Sequence, residues 1–275
     1  MSSMSAAAAD AATVGDAPAH RGWGRVRYLV PTSLTMGSVL CGWYAIVCSF
    51  RGALAFADSR LAAGLFVHAT MAIGLAIVLD NLDGRIARII GASSEFGGEL
   101  DSLADVLAFG VAAAVLAYVS SYGAIDRLQT AAFILSFVFI AAGTLRLARS
   151  NVLAHDERHF TGLPIPAAAG GVAAAVHFYY APLTGAAQRG DIDFRSFTLV
   201  MMGLVVLLSL LMVSTFPYSK LKLARTQIGI AFPAIAIAVA VGILYASRWP
   251  VLIIAFLYVT HGPVLWAVRS ARRTT

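Results

Sequence analysis

Apolar stretches of about 20 residues, each long enough to cross a hydrocarbon core of about 30 Å, recur along the whole chain. No other feature so narrows what the chain can fold into. Inside a bilayer every backbone N–H and C=O must be satisfied within the protein, so runs of this length are helices. Composition agrees: of 275 residues 59% are apolar and 12% charged, where soluble domains carry about 25% charged residues. Mean hydropathy is +0.80. There is too little polar surface to coat a water-soluble particle.

The predicted fold class is therefore all-α, a polytopic transmembrane helical bundle. Eight spans are expected, at 27–50, 62–82, 98–120, 128–149, 164–183, 196–215, 227–247 and 250–268. Only the turn around Arg248, Trp249 and Pro250 separates the last pair, and shallow re-entrant segments there would reduce the count to six. Residues 1–22 are Ala-rich and polar without periodicity and read as a disordered tail, leaving 23–275 as a single transmembrane domain. The tail lacks a basic start followed by an apolar core and cleavage site, so no signal peptide is read.

Arginine and lysine placement orients the bundle. With the N-terminus inside, cytoplasmic segments hold 14 of the 20 basic residues, including Arg85, Arg88, Arg146, Arg149 and Lys220. The positive-inside rule then predicts N-in and C-in, in the cytoplasmic membrane. The net charge of +6 falls at span borders and suits anionic lipid heads, with no call for nucleic acid as a partner. Cys41 and Cys48, seven apart, lie about 10 Å apart along one helix and cannot form a disulfide there.

Of 14 acidic residues, six fall between 80 and 105: Asp80, Asp83, Glu95, Glu99, Asp101 and Asp105. Carboxylates at membrane depth are costly and mark function. Asp80 and Asp83 are three apart and Asp101 and Asp105 four apart, so each pair shares a helix face. One pair ends the second span and the other begins the third, so the two can converge. Four aspartates together repel unless cations neutralise them, and an all-oxygen set suits two divalent ions, magnesium or manganese, rather than zinc. Two ions bridged by carboxylates form a clamp for displacement at phosphorus. Gly84 lets a bulky group approach the backbone, Gly97 does so where the next helix begins, and Arg88 can pair with a phosphate.

The full pattern, D-x2-D-G-x2-A-R-x8-G-x3-D-x3-D over residues 80–105, resembles the signature of the CDP-alcohol phosphotransferases at every fixed position. That resemblance implies a fold of membrane helices, usually a homodimer, and a specific chemistry. A CDP-linked lipid donates its phosphatidyl group to an alcohol and CMP leaves. It implies Asp80, Asp83, Asp101 and Asp105 as metal ligands, with Asp105 also the base for the acceptor hydroxyl. Gly84, Arg88, Ser94 and Gly97 would contact the CDP-lipid. The stretch P-T-S-L-T stands where relatives show P-N-x-x-T, which adds Thr32 and Thr35 to that set, Thr32 in place of asparagine. A hydroxyl donates to phosphate or ribose with one fewer hydrogen bond than an amide.

Two further runs, TLRLARSN at 144–151 and FTGLPIPAAA at 160–169, are similar to the phosphatidylserine synthase branch of that family. They imply CDP-diacylglycerol and L-serine as substrates. Arg146 and Arg149, three apart at the cytoplasmic end of the fourth span, can hold a carboxylate in a bidentate pair, and Asn151 adds a neutral polar contact. The same arginines would also serve as topological anchors. Ser150 replaces the usual aromatic of R-L-A-R-F-N, and Ala112 a common proline. Gly162, Pro164 and Pro166 predict a rigid turn before the fifth span.

Two rival readings remain at this level. Another alcohol, such as glycerol 3-phosphate or inositol, would serve the same chemistry, although a phosphorylated acceptor calls for a denser basic pocket. A cation transporter would spread its acidic residues over several spans near the midplane, whereas here they gather at one end of two adjacent spans. His155 and His159 are expected in a solvated loop, His177 packed or interfacial, and Tyr179 and Tyr180 in an aromatic belt.

Overall fold

The computed structural model describes residues 23–92, 94–122, 125–153, 162–184 and 193–216, with 249, 252–253, 255–260 and 262–263 near the C-terminus. The expected tail, the seventh span, part of the eighth, and His155 and His159 lie outside these residues. Everything regular among the described residues is helical. In order come α1 (Trp23–Leu54), α2 (Ser59–Ile89), α3 (Glu95–Asp105), a π-helical turn (Val106–Val111), α4 (Ala112–Ser120), α5 (Gln129–Leu153), α6 (Ile165–Tyr180) and α7 (Phe194–Val213). Short 3-10 turns at Asp126–Leu128 and Ala181–Thr184 precede α5 and follow α6.

Five stretches are long and apolar enough to cross a membrane: Leu29–Leu54, Ser59–Ile89, Glu95–Ser120, Asp126–Val152 and Phe194–Val213. The third unites α3, the π turn and α4. The expected fifth span appears as α6, 16 residues and so about 24 Å of helix. Helices overrun the apolar runs that announced them. α2 continues seven residues past 82, to Ile89, because nothing in N-L-D-G-R-I-A-R-I breaks a helix and its polar side chains have left the hydrocarbon. From Ser59 to Asp80 the helix rises about 32 Å, about one hydrocarbon thickness.

Helix ends are closed by side chains. Asp58 Oδ1 accepts from the backbone N–H of Arg60 and Leu61 at 3.1 and 3.0 Å, and Asp193 Oδ2 from those of Arg195 and Ser196 at 3.1 and 3.3 Å. Such caps satisfy donors that the helix leaves orphaned.

Alanine is the commonest buried residue among those described, including Ala63, Ala69, Ala76, Ala108, Ala112, Ala113, Ala117 and Ala168. Small residues are what membrane helices use to pack closely, since apolar surface gains little by leaving lipid tails for another helix. α1 and α2 pack along their lengths, α6 lies against α2, and α7 against α5. At Gly42 a Cβ would sit 2.5 Å from Ala108 Cα, so only glycine lets α1 meet the π turn. Ile165, fully buried, fills the space that Gly110 and Gly143 leave open. Leu40, Phe133, Leu199 and Leu210 stay exposed on the outside, where lipid is their solvent.

The end farthest from the aspartates is closed by rings. Tyr179 stacks on Phe197 at 4.1 Å, Phe66 meets Tyr180 at 4.6 Å, and the Tyr180 hydroxyl donates to Ser120 O at 2.5 Å. Tyr180 is buried, so it serves packing rather than an outward-facing belt. His177 is buried too, its Nδ1 paired with Thr70 Oγ1 at 3.1 Å.

Candidate active site

Asp80 and Asp83 stand in the last three turns of α2, with Gly84 and Arg88 following Asp80 at steps of four on one face. α2 then stops in a Schellman arrangement: the N–H of Ala92 donates to Ala87 O at 2.8 Å, across Gly91 in the left-handed region at φ +63°. α3 starts four residues later. Ser94 caps it, its Oγ accepting from Gly97 N–H at 3.0 Å. This tight reversal folds Asp101 and Asp105 back toward the end of α2.

Three carboxylates meet there. One oxygen each from Asp80, Asp101 and Asp105 lies within 4.8 Å of the others. The fourth, Asp83, is 4% exposed and differently employed: its Oδ2 accepts from Thr35 Oγ1 at 2.7 Å, a bond from α1 to α2. It remains within electrostatic reach of Asp80 and Asp101. Asp105 is 8% exposed, and its Oδ1, shielded from solvent, has no hydrogen-bond partner among the described residues. A buried orphan oxygen inside a group of like charges is unfavourable unless a cation completes it. The donor set fits a hard divalent ion, with Asp80, Asp101 and Asp105 to hold it.

The helix changes character immediately after Asp105. Residues 106–111 form a π turn, and the N–H of Val106 reaches back to both Ser102 O and Leu103 O. Extra residues in a helical turn re-aim the side chains around them and recur at functional sites. No periodicity in V-L-A-F-G-V announces it.

The remaining expected residues divide into groups. Gly84 faces open space: among the described residues, no atom beyond its chain neighbours and its own helix backbone lies within 4 Å of where a Cβ would stand, and Arg88 beyond it is exposed. Thr32 is half-buried, a turn before Thr35 on α1. Gly97 sits against the Ser94 hydroxyl, where a Cβ would come to 3.1 Å.

On α5 the two arginines part company. Arg146 is half-buried beside Asp105, and its Nε is buried without a hydrogen-bond partner among the described residues. Arg149 turns to the end of α7, donating Nη1–H to Val213 O at 3.3 Å and Nη2–H to Ser214 O at 3.1 Å. There it satisfies carbonyls that the helix end leaves unpaired and meets the negative end of the dipole. The same end of α7 receives the predicted turn, with Gly162 N–H donating to Phe216 O and Leu163 N–H to Leu211 O, both at 3.0 Å. Gly162, at φ +87°, presses on the Met212 carbonyl so closely that a Cβ would collide with it. Asn151 donates Nδ2–H to Ser102 Oγ at 3.0 Å, joining α5 to α3.

Two residues near the site carried no signal. Ser102 follows Asp101 directly and reads in sequence as filler. Tyr258, in the short helical stretch at 255–260, shares the neighbourhood of Arg146 across more than 100 residues of chain, a proximity only folding creates.

Residues 28–266 match the CDP-alcohol phosphatidyltransferase family. The chain is 32% identical over 248 residues to the CDP-diacylglycerol–serine O-phosphatidyltransferase of Helicobacter pylori, covering 87% of this chain and 91% of that one. It is 32% identical over 260 residues to the protein of the same name from Mycobacterium bovis, covering 89% and 79% respectively. An archaetidylserine synthase of Methanothermobacter thermautotrophicus is 32% identical over 193 residues, 70% of each chain.

Proposed function

Because the chain belongs to the CDP-alcohol phosphatidyltransferase family, a multi-pass membrane family, we propose that it transfers the phosphatidyl group of CDP-diacylglycerol to the hydroxyl of L-serine, yielding phosphatidylserine and CMP. One observation carries the reading: three aspartate carboxylates converge within 4.8 Å where α2 and α3 meet, with the guanidinium of Arg146 beside Asp105.

The roles follow from position. Asp80, Asp101 and Asp105 would hold divalent cations, Mg2+ or Mn2+, and Asp83, braced by Thr35, would complete the set. When bound, such ions would offset the charge of the pyrophosphate and acidify the acceptor hydroxyl. Gly84 leaves room for the CDP-lipid, and Arg88, Ser94, Gly97 and Thr32 border it. The serine oxygen attacks the phosphatidyl phosphorus as the bond to CMP breaks, and CMP leaves with that electron pair. The hydroxyl proton passes to Asp105, which needs little basicity toward a hydroxyl so acidified. Arg146 receives the serine carboxylate. A half-buried guanidinium whose enclosed Nε–H has no partner among the described residues is suited to that group. Arg149 holds α7 in place behind it.

Residues 23–275 act as one transmembrane domain of eight spans, with both termini in the cytoplasm, the site facing it, and a homodimer as the working form. The 14-to-6 split of basic residues supports that orientation. The test is purified protein with CDP-diacylglycerol, Mn2+ or Mg2+, and a panel of alcohols, followed by CMP release. Release that requires L-serine is expected. Release with glycerol 3-phosphate or inositol but not serine overturns the acceptor while keeping the chemistry.

A further inference from the structure

α3 carries two of the converging aspartates, yet it is poorly anchored. Of its 11 residues only Ala104 and Asp105 are buried, both at its C-terminal end. From Glu95 to Leu103 no apolar side chain is enclosed that would fix the helix's rotation or height. A short helix with one buried turn draws little stability from packing, which is where most helix stability comes from. Something else must hold Asp101, on the loosely packed side, within reach of Asp80.

The hydrogen bonds of Ser102 supply it. Its hydroxyl is 3.1 Å from Gly98 O, one turn back in α3, and 3.0 Å from Asn151 Nδ2 in α5. A serine hydroxyl has one proton, and Gly98 O at 3.1 Å is nearer than Asn151 Oδ1 at 3.5 Å, so the proton goes to Gly98 O. Its oxygen then accepts from Asn151, and the two bonds are compatible. A chain results: Asn151 N–H to Ser102 O–H to Gly98 carbonyl. It spans 49 residues of sequence and ties α5 to the residue beside Asp101. α5 is well placed as a reference, because its Arg149 grips the end of α7 and its Arg146 lies beside Asp105.

We propose that Asn151 and Ser102 form one positioning device, which sets the height and rotation of α3 against α5 and so fixes Asp101 relative to Asp80 and Arg146. Asn151 thereby serves the reaction through Ser102, not by touching the acceptor. The inference rests on the reading of Asp101 as a cation-holding residue. Partners that orient such ligands typically matter by about 10- to 100-fold in affinity or activity.

A double-mutant cycle tests it, read in two ways on detergent-purified full-length protein. The variants are Asn151→Ala, Ser102→Ala, the double variant, and Ser102→Thr, which keeps the hydroxyl. The readouts are apparent Mn2+ affinity with no lipid present, and kcat and KM for each substrate. Each alanine variant is expected to weaken Mn2+ binding and lower kcat by roughly tenfold. The double variant should lose no more than either single, and Ser102→Thr should recover most of the loss. Losses that multiply in the double variant overturn the proposal. So does a silent Ser102→Ala beside an Asn151→Ala that raises only the serine KM, since Asn151 would then touch the acceptor directly. The Mn2+ measurement needs no acceptor. If serine proves to be the wrong alcohol, the coupling between Ser102 and Asn151 is still read. If an alanine variant fails to fold, the comparison of Ser102→Thr, which keeps the hydroxyl, with Asn151→Asp, whose carboxylate cannot donate to it, decides. Ser102→Thr should retain Mn2+ binding within about threefold of the unsubstituted protein, and Asn151→Asp should weaken it by roughly tenfold. Loss in Ser102→Thr, or unchanged binding in Asn151→Asp, overturns the proposal.

Discussion

Thr35 of α1 donates its hydroxyl to Asp83 Oδ2 of α2 at 2.7 Å, and both residues are buried. A carboxylate enclosed to this degree in an apolar bundle needs a donor, and the donor comes from another helix 48 residues away in sequence. The bond fixes which way Asp83 faces, and with it how the second aspartate of the motif contributes.

Thr35→Val keeps the shape and removes the donor. It should lower CMP release by roughly 10- to 100-fold, as loss of an orienting partner does. It should also cost about 1–3 kcal/mol of stability by leaving a buried acceptor unsatisfied. Thr35→Ser should behave nearly as the unsubstituted protein. Equal activity in Thr35→Val and Thr35→Ser, assayed side by side in one detergent, would show that the bond is dispensable.

Chelation should abolish CMP release, and Mn2+ or Mg2+ should restore it. Independently of activity, the cation should raise the thermal midpoint, since a ligand at about 100 times its Kd stabilises the folded state by about 2.7 kcal/mol. Asp80→Asn and Asp101→Asn should lose most of that metal-dependent shift. Asp105→Asn should lower turnover by at least about 100-fold while the protein still binds CDP-diacylglycerol. Near-normal turnover of Asp105→Asn would remove it as the base.

The two arginines of α5 should give different kinetic signatures. Arg146→Ala should raise the serine KM by about 10- to 100-fold, the loss of a hydrogen-bonded charge pair, with little change for CDP-diacylglycerol. Arg149→Ala uncaps α7 and should lower thermal stability, changing both KM values alike. Substrate titrations on both variants separate the outcomes, and a serine-selective defect in Arg149→Ala would reverse the assignment.

Gly84 and Gly162 should respond oppositely to alanine. At Gly84 the added methyl meets no described atom within 4 Å beyond its chain neighbours and its own helix backbone, and in a helix alanine is favoured by up to about 1 kcal/mol, so the fold should hold or gain. The methyl occupies space assigned to the donor lipid, and the KM for CDP-diacylglycerol should rise. At Gly162 the backbone is left-handed and the methyl meets the Met212 carbonyl, so Gly162→Ala should cost more than about 1 kcal/mol. Melting curves and donor titrations on the pair check both halves.

Much of the site was legible before folding. The three- and four-residue spacings of Asp80, Asp83, Asp101 and Asp105 put two pairs on helix faces, and the structure brings three of the four together. The C-cap at Gly91 was not anticipated, since the second span was expected to end at 82, where the apolar run stops and the helix does not. Asn151 was expected at the acceptor, and only the structure joins its carboxamide to Ser102. Nothing in V-L-A-F-G-V marks the π turn, which only the folded chain displays.

Membrane class, helical architecture, the clustering of acidic charge at one end of two adjacent helices and the phosphotransferase signature follow from the sequence by itself. Each is a matter of local hydropathy and of residues spaced by a helical turn, and neither needs a tertiary contact to be expressed. The division of labour was decided only by the tertiary structure: Asp83 to Thr35, Arg146 to Asp105, Arg149 to the end of α7, and Asn151 to Ser102. Those pairings depend on how helices far apart in the chain are rotated against one another. That rotation is settled by close packing at residues such as Gly42, Gly143 and Ile165, which no single helix records in its own periodicity.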